Sequence, residues 1–500
     1  MSEGEAAALA ALQAAGSAGR GGIYLGAAQG GMAFAPQSTS VAALGPTRTG
    51  KTSCVVVPAV LAAPGAVAST STKTDVLELT YRARMHNGPC FLYDPTGTTS
   101  APPGVELLHW SPLAACRTWS GASFTATNMA AAARAAPNAP YSKGGHGNDP
   151  HWVERATAML AVLMHAAASA DLQMATVVSW VDTRRAAPGF EILEGARLEG
   201  TELDKLASDL MTGLASTEQR ELSGIWSTTS ELLTAYRTRE ALDSTVGADF
   251  DPRGFLDARG TLYVCATGRH QAFAAPMVIG LLNELTSAAY ARFASSPART
   301  RESIVSAPLL LALDEAANIA PLPDLPAIVS EGGGQGVVVL ACLQDLSQAE
   351  QRWGLDTTGF LAKFTTTVML PGIRHVPTLQ AVSTLAGEVE VLSRSVTTAS
   401  PPGGWRRAGW GDIARRLSGH PYQTSVTTSS VFRPRLPVDV IARGRPGHAL
   451  VLGDGARIGE ISLTPWYATE PWRSAVGASL ERSRPDVVRE PQERGMGLER

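Results

Sequence analysis

GPTRTGKT, residues 45–52, stands between two apolar runs, Val41 to Leu44 before it and CVVVPAVLA (54–62) after it. The order strand, glycine-rich turn, helix matches the G-x-x-x-x-G-K-[ST] pattern of a phosphate-binding loop. Gly45 and Gly50 let the backbone turn its N–H groups inward, and a helix starting near Lys51 presents its positive end to the same anion. The candidate nucleotide cradle is therefore Gly45, Pro46, Thr47, Arg48, Thr49, Gly50, Lys51 and Thr52. In it Lys51 meets the β and γ phosphates of ATP, and the Thr52 hydroxyl holds Mg²⁺. The lysine is informative because the chain has only five, against 37 arginines. A position that keeps Lys in such a chain calls for a compact ammonium rather than a planar fork.

Hydrolysis needs carboxylates at the end of a neighbouring strand. PLLLALDEAANIAPLPDLP, from Pro308, provides a continuous apolar run, Leu309 to Leu313, of the kind buried on both faces of a parallel sheet. It ends in Asp314, the candidate metal-side carboxylate, and Glu315, the candidate general base for an attacking water. A third apolar run, GVVVLACLQDLSQ from Gly336, ends in Gln344, whose amide is placed to sense the γ phosphate. Arg48 is the only other basic residue beside the loop in sequence. Charge on the far side of the γ phosphate is therefore expected from a neighbouring subunit, with Arg269, Arg352 and Arg374 as candidate fingers.

With 500 residues at 44% hydrophobic, the chain exceeds one ordinary domain, and its net charge of −3 excludes a global basic surface. Lys51 and Asp314 lie far apart although their strands belong to one sheet, so a large insertion separates them. The period changes to helical from about 126 to 250, as in HWVERATAMLAVLMHAAA and IWSTTSELLTAYR, and strand character returns at GTLYVCATG, 260–268. The fold class is thus α/β, a P-loop domain with a mainly parallel sheet and an inserted all-α domain. The divisions are a flexible lead-in over 1–20, nucleotide-binding halves over 21–125 and 251–475, the insert over 126–250, and a charged flexible tail over 476–500. The five scattered cysteines form no CxxC pair and read as buried reduced thiols. No window reaches the roughly 20 apolar residues of a membrane span, so a cytoplasmic chain is expected, peripheral at the inner membrane through a partner. Residues 394–445 hold nine arginines interleaved with Trp405, Trp410, Tyr422 and Phe432. Such a mix suits either contact with a nucleic acid or a solvated loop.

Taken together, GPTRTGKT, STSTKTDVLELT, YDPTG, HWSPL, LLLALDEAANIAPLPDLP, EGGGQG and LQDLSQAEQRWG resemble the type IV secretion coupling proteins, the TraG/TraD-like conjugative DNA-transfer ATPases, in their actinobacterial form. The likeness runs from about Gly21 to Trp472. It implies a RecA-like motor, a homo-hexamer when active, which delivers relaxase-bound DNA or other cargo to type IV secretion components at the inner membrane. Lys51 and Thr52 match the family's P-loop, Asp314 and Glu315 its Walker B pair, and Gln344 its strand-end glutamine. Two departures stand out: the relatives' amino-terminal membrane helices have no counterpart here, and Ser71 to Asp75 replace the relatives' DPKGE. Two other readings compete with the DNA-translocating ATPase. One is a cargo adaptor switched by nucleotide, and the other a HerA/FtsK-like DNA-processing motor unconnected with secretion.

Overall fold

The computed structural model describes residues 3–28, 30–135, 150–185, 187–198, 202–248, 250–266, 271–398, 424–453 and 457–480. Its strands are β1 (Tyr24–Ala28), β2 (Gly31–Phe34), β3 (Val41–Leu44), β4 (Val67–Ser71), β5 (Cys90–Tyr93), β6 (Val105–Leu107) and β7 (Thr261–Cys265). They continue with β8 (Leu309–Leu313), β9 (Val337–Leu343), β10 (Thr366–Met369), β11 (Glu388–Thr398), β12 (Thr424–Pro434), β13 (His448–Gly453) and β14 (Arg457–Ser462). All but β11 and β12 join one 12-stranded sheet in the order β2-β1-β14-β13-β10-β3-β9-β8-β4-β7-β5-β6. From β10 to β6 every pairing is parallel, while β13, β14, β1 and β2 extend the sheet antiparallel.

The apolar runs of the sequence become the centre of this sheet because both of its faces are covered. Val41 and Ala43 of β3 face one core with Leu310, Leu340 and Val60, whereas Ala42 and Leu44 face the other with Leu309, Leu311 and Val339. Alternate residues of one strand thus enter opposite cores, which is why the runs show no polar alternation. Each fully buried Leu contributes about 1.5–3 kcal/mol of transfer free energy. The first face is covered by the helices Val57–Ala62 and Asp75–Arg84, the second by Gln271–Ser295 and Val376–Ala386.

Between β6 and β7 the chain forms helices that include Trp119–Ala135, Pro150–Ser169, Met174–Thr183, Glu202–Ala215 and Gln219–Leu232, and these share a third core. Pro150–Ser169 is its central helix, with every residue from Met159 to Ala168 buried. The one-sided stripe that its sequence suggests has become burial all round, since neighbouring helices pack on several sides of it.

Two segments differ from the reading of the sequence. Where a flexible lead-in was expected over 1–20, Glu3–Ala18 is a helix that buries Ala8 and Leu12 against the helices Val57–Ala62 and Trp472–Leu480. Its Ala/Gly composition is what permits the approach: a Cβ on Gly16 would fall 2.1 Å from the Ala62 carbonyl oxygen. The helix Trp472–Leu480 likewise orders the start of the expected tail, whose remainder, 481–500, lies outside the described residues. Within the basic region, β11 and β12 pair with each other over eleven residues as an isolated antiparallel ribbon, with Leu392 72% and Phe432 65% exposed. Trp405, Trp410 and Tyr422 lie outside the described residues.

All five cysteines are buried free thiols. Among the described residues no helix is long and apolar enough to cross a membrane.

Candidate nucleotide site

The loop after β3 turns at the carboxyl end of the parallel strands, where Gly45 N–H donates to the Leu343 carbonyl of β9 at 3.1 Å. Gly45 is buried, and a Cβ there would stand 2.8 Å from the Leu370 Cβ, so the loop closes on the end of β10 only because that side chain is missing. Gly50 takes φ 95°, a left-handed conformation that favours glycine, immediately before a π-type turn over Lys51–Val56. Lys51 is buried and folds back over its own loop, donating to the Gly45 carbonyl and to the Pro46 carbonyl at 2.9 Å. Gly45 and Pro46 lie behind the loop, whereas Thr47 to Thr52 line an open cleft of about 840 Å³.

Strand β8 delivers its carboxylates to the same cleft. β9 lies between β3 and β8, yet Thr52 Oγ1 donates to Asp314 Oδ2 at 2.9 Å across 262 residues of chain. Asp314 is 7% exposed, and burial, with Glu315 and Asp75 adding to it, pushes its carboxyl from 3.8 up to about 6. Glu315 also lines the cleft, in a left-handed conformation (φ 58°, ψ 46°) that costs about 1–2 kcal/mol in a residue with a Cβ. Asn318 Nδ2 donates to its Oε2 at 2.7 Å and so fixes the carboxylate.

The opposing wall comes from β4, next to β8, and contributes Ser71, Thr72, Lys73 and Asp75. The cleft therefore holds a second ammonium, Lys73, where sequence proximity pointed only to Arg48 as a further cation. With Lys51, Lys73 and Arg48 set against Asp75, Asp314 and Glu315, its charges balance without ligand. The lining also includes Pro371, Gly447, Leu463, Pro465, Trp466 and Tyr467. Lys73 had a sequence signal, the polar end of the short run GAVASTS. Trp466 and Tyr467 had none, because no spacing rule ties them to the loop.

Gln344 directly follows β9 and is half-buried, its N–H donating to Gln348 Oε1 at 2.8 Å, but it is not among the residues that line the cleft. Of the three candidate fingers, Arg352 is engaged through Nε with the Ala317 carbonyl at 2.9 Å. Arg374 is exposed just past β10, and Arg269 lies outside the described residues.

The sequence profile of the family described as type IV secretory system, conjugative DNA transfer matches residues 10–403. The chain belongs to this family. Among solved structures it is similar to the bacterial conjugative coupling protein TrwBdeltaN70 in its unbound monoclinic form, with a TM-score of 0.62 at 16% identity over 89% of this chain and 88% of that one. It is also similar to the plasmid coupling protein TrwB in complex with the GTP analogue GDPNP (TM-score 0.59, 16% identity, 86% and 87% covered). A third likeness is to TrwB in complex with ADP and Mg²⁺ (TM-score 0.56, 16% identity, 86% and 85% covered). At this identity the likeness speaks to the fold alone: a mostly parallel sheet joined to a helical domain. None of the curated proteins searched matches the sequence.

Proposed function

We propose that the chain is an ATP-hydrolysing motor that moves relaxase-bound DNA to a conjugative type IV secretion channel, with ATP and Mg²⁺ in the cleft between the residue 45–52 loop and the end of β8. The observation that carries this reading is the 2.9 Å contact between Thr52 and Asp314, which unites two distant motifs at one strand end. Those two oxygens suit Mg²⁺, a hard cation that takes one or two protein oxygens beside substrate phosphates and water. The Asp314 carboxylate, pushed up chiefly by its burial, fits the same cation. Bound there, Mg²⁺ would neutralise charge on the β and γ phosphates. The complexes of TrwB with ADPNP and with ADP and Mg²⁺ support the same ligands here.

In this reading Lys51 leaves the carbonyls of Gly45 and Pro46 to meet the β and γ phosphates. Glu315, held at one oxygen by Asn318, uses the other to orient and deprotonate a water. Gln344 reports the state of the γ phosphate through β9, and Lys73 faces the phosphates from the opposite wall. Residues 21–125 and 251–475 form the nucleotide-binding domain and 126–250 the inserted all-α domain. A homo-hexamer working with secretion components at the inner membrane is the assembly that the family suggests.

The deciding experiment is the ATPase rate of the purified chain with and without single- and double-stranded DNA. Stimulation by DNA that Lys51→Ala abolishes is expected. Slow hydrolysis indifferent to both DNAs would replace the motor with a nucleotide-switched cargo adaptor.

A further inference from the structure

Two strands of the fold stay outside the large sheet. β11 and β12 pair only with each other, in a register that runs unbroken from Glu388↔Pro434 to Thr398↔Thr424. The ribbon leaves the body where the Gly387 carbonyl accepts from Arg435 N–H at 2.8 Å. Side chains alternate along each strand, so Glu390, Leu392, Arg394 and Val396 of β11 share one face with Val426 and Phe432 of β12, and all six are exposed. Outside the ribbon no element exposes more than one large apolar side chain among the described residues, whereas this face alone exposes Leu392, Val396, Val426 and Phe432. A lone two-stranded ribbon is marginal in water, and it takes three or more strands to make such a structure stable.

The outer edges of the ribbon carry unpaired N–H and C=O groups, a template for another strand. β11 has no proline, no glycine and no bulge to block that pairing. Its charges on the apolar face have opposite signs about Leu392, with Glu390 two residues before it and Arg394 two residues after. Among the described residues neither has an ion-pair partner. The pattern is complementary to itself when reversed. β12 offers no such pattern, since Arg433 is its only charged residue.

We propose that β11 is a self-recognition edge, and that two copies of this chain pair through antiparallel β11 strands centred on Leu392 to form a four-stranded sheet in the order β12-β11-β11-β12. In this register Glu390 stands opposite the partner's Arg394, twice by symmetry, and the two Leu392 side chains meet at the centre. Opposite charges and apolar residues facing each other across strands stabilise such a sheet, and like charges directly opposite destabilise it. A two-fold contact uses the same patch on both copies, so it joins chains in pairs, whereas a ring is built from two different patches. None of these residues lines the nucleotide cleft, and the contact does not rest on the nucleotide reading.

The test is sedimentation velocity of the full chain without nucleotide, over a concentration series, for wild type, Glu390→Arg, Arg394→Glu and the double variant Glu390→Arg/Arg394→Glu. Both side chains are exposed, so the substitutions leave the fold intact. The wild type should dimerise. Each single variant should weaken the dimer by about tenfold or more, because symmetry sets two like-charged pairs in place of two attractive ones. The double variant should dimerise as the wild type does, and an equimolar mixture of the two single variants should recover the dimer that neither forms well alone. Three results overturn the inference: a wild type monomeric at every concentration, single variants that dimerise like the wild type, or a double variant and a mixture that both stay monomeric. Loss of duplex DNA binding by Arg394→Glu in a chain that stays monomeric would give this face to nucleic acid instead.

Discussion

Replacing Asp314 with Asn should stabilise the nucleotide-free protein while impairing its function. The carboxyl is nearly fully buried, and its upward shift from 3.8 to about 6 is a free-energy cost of the ionised form, dominated by burial. At about 1.4 kcal/mol per pH unit, a shift of roughly two units corresponds to about 3 kcal/mol at pH 8. Asn keeps the shape and an oxygen to accept from Thr52, so the variant sheds the charge and retains the contact. The pH dependence gives the sign. Below about pH 4 both the folded and the unfolded carboxyl hold their proton and the cost is absent. Between about pH 4 and 6 the unfolded carboxyl ionises first, so wild-type stability falls as pH rises, and above about pH 6 the cost is fully present.

Scanning calorimetry without nucleotide at pH 8 and pH 4 measures the effect. With an unfolding entropy of about 2.1 cal/mol/K per residue, 1 kcal/mol moves the midpoint of a chain of this length by roughly 1 °C, so Asp314→Asn should melt about 3 °C higher at pH 8. The difference should fade by pH 4. Mg²⁺ and ATP at about 1,000 times the wild-type Kd should reverse the order at pH 8, since the ligand then adds about 4.1 kcal/mol to the form that binds it, more than the cost of roughly 3 kcal/mol that Asn removes. A variant less stable than wild type at pH 8, or a gain equal at both pH values, would refute the argument that Asp314 is a desolvated carboxylate awaiting a cation.

Three further outcomes are expected. Glu315→Gln should bind ATP but hydrolyse it about 10² to 10⁴ more slowly, and with ATP and DNA it should assemble into a closed ring seen by sedimentation; wild-type turnover would remove Glu315 from the base role. Lys73→Ala should lower kcat by at least about tenfold with little change in KM, because Lys73 lines the same cleft as Lys51 and adds a second ammonium to it. An unchanged kcat would leave the far-side charge wholly to a neighbouring subunit. Gly45→Ala should cost about 1–3 kcal/mol in thermal stability and weaken nucleotide binding, since its methyl would press on Leu370 and displace the carbonyl that holds Lys51; full binding would show that the loop yields freely.

The glycine-rich turn after β3, the strand that leads into Asp314 and Glu315, the parallel sheet and the helical stretch were legible in the sequence because each is a local pattern. A loop that cradles phosphate needs glycines at fixed offsets within eight residues, and a doubly covered strand needs an unbroken apolar run. Such requirements act over a few neighbouring positions, so they leave a readable trace. The ordered helix Glu3–Ala18 was not legible for the converse reason: Ala-rich composition suits both a frayed segment and a close-packed one, and only the nearness of Ala62 to Gly16 decides between them.

Tertiary structure alone brought Lys73 into the cleft that Lys51 lines, engaged Arg352 with the Ala317 carbonyl, and carried Trp466 and Tyr467 into the cleft lining. It also raised the Asp314 carboxyl to about 6. These facts depend on strand order and burial, which are set by the packing of segments hundreds of residues apart. Sequence spacing carries no information about which strand end lies beside which, or how much water reaches a carboxylate between them. The chain therefore writes its candidate phosphate loop in eight consecutive residues, while the rest of the cleft lining is assembled only where distant strands join the sheet.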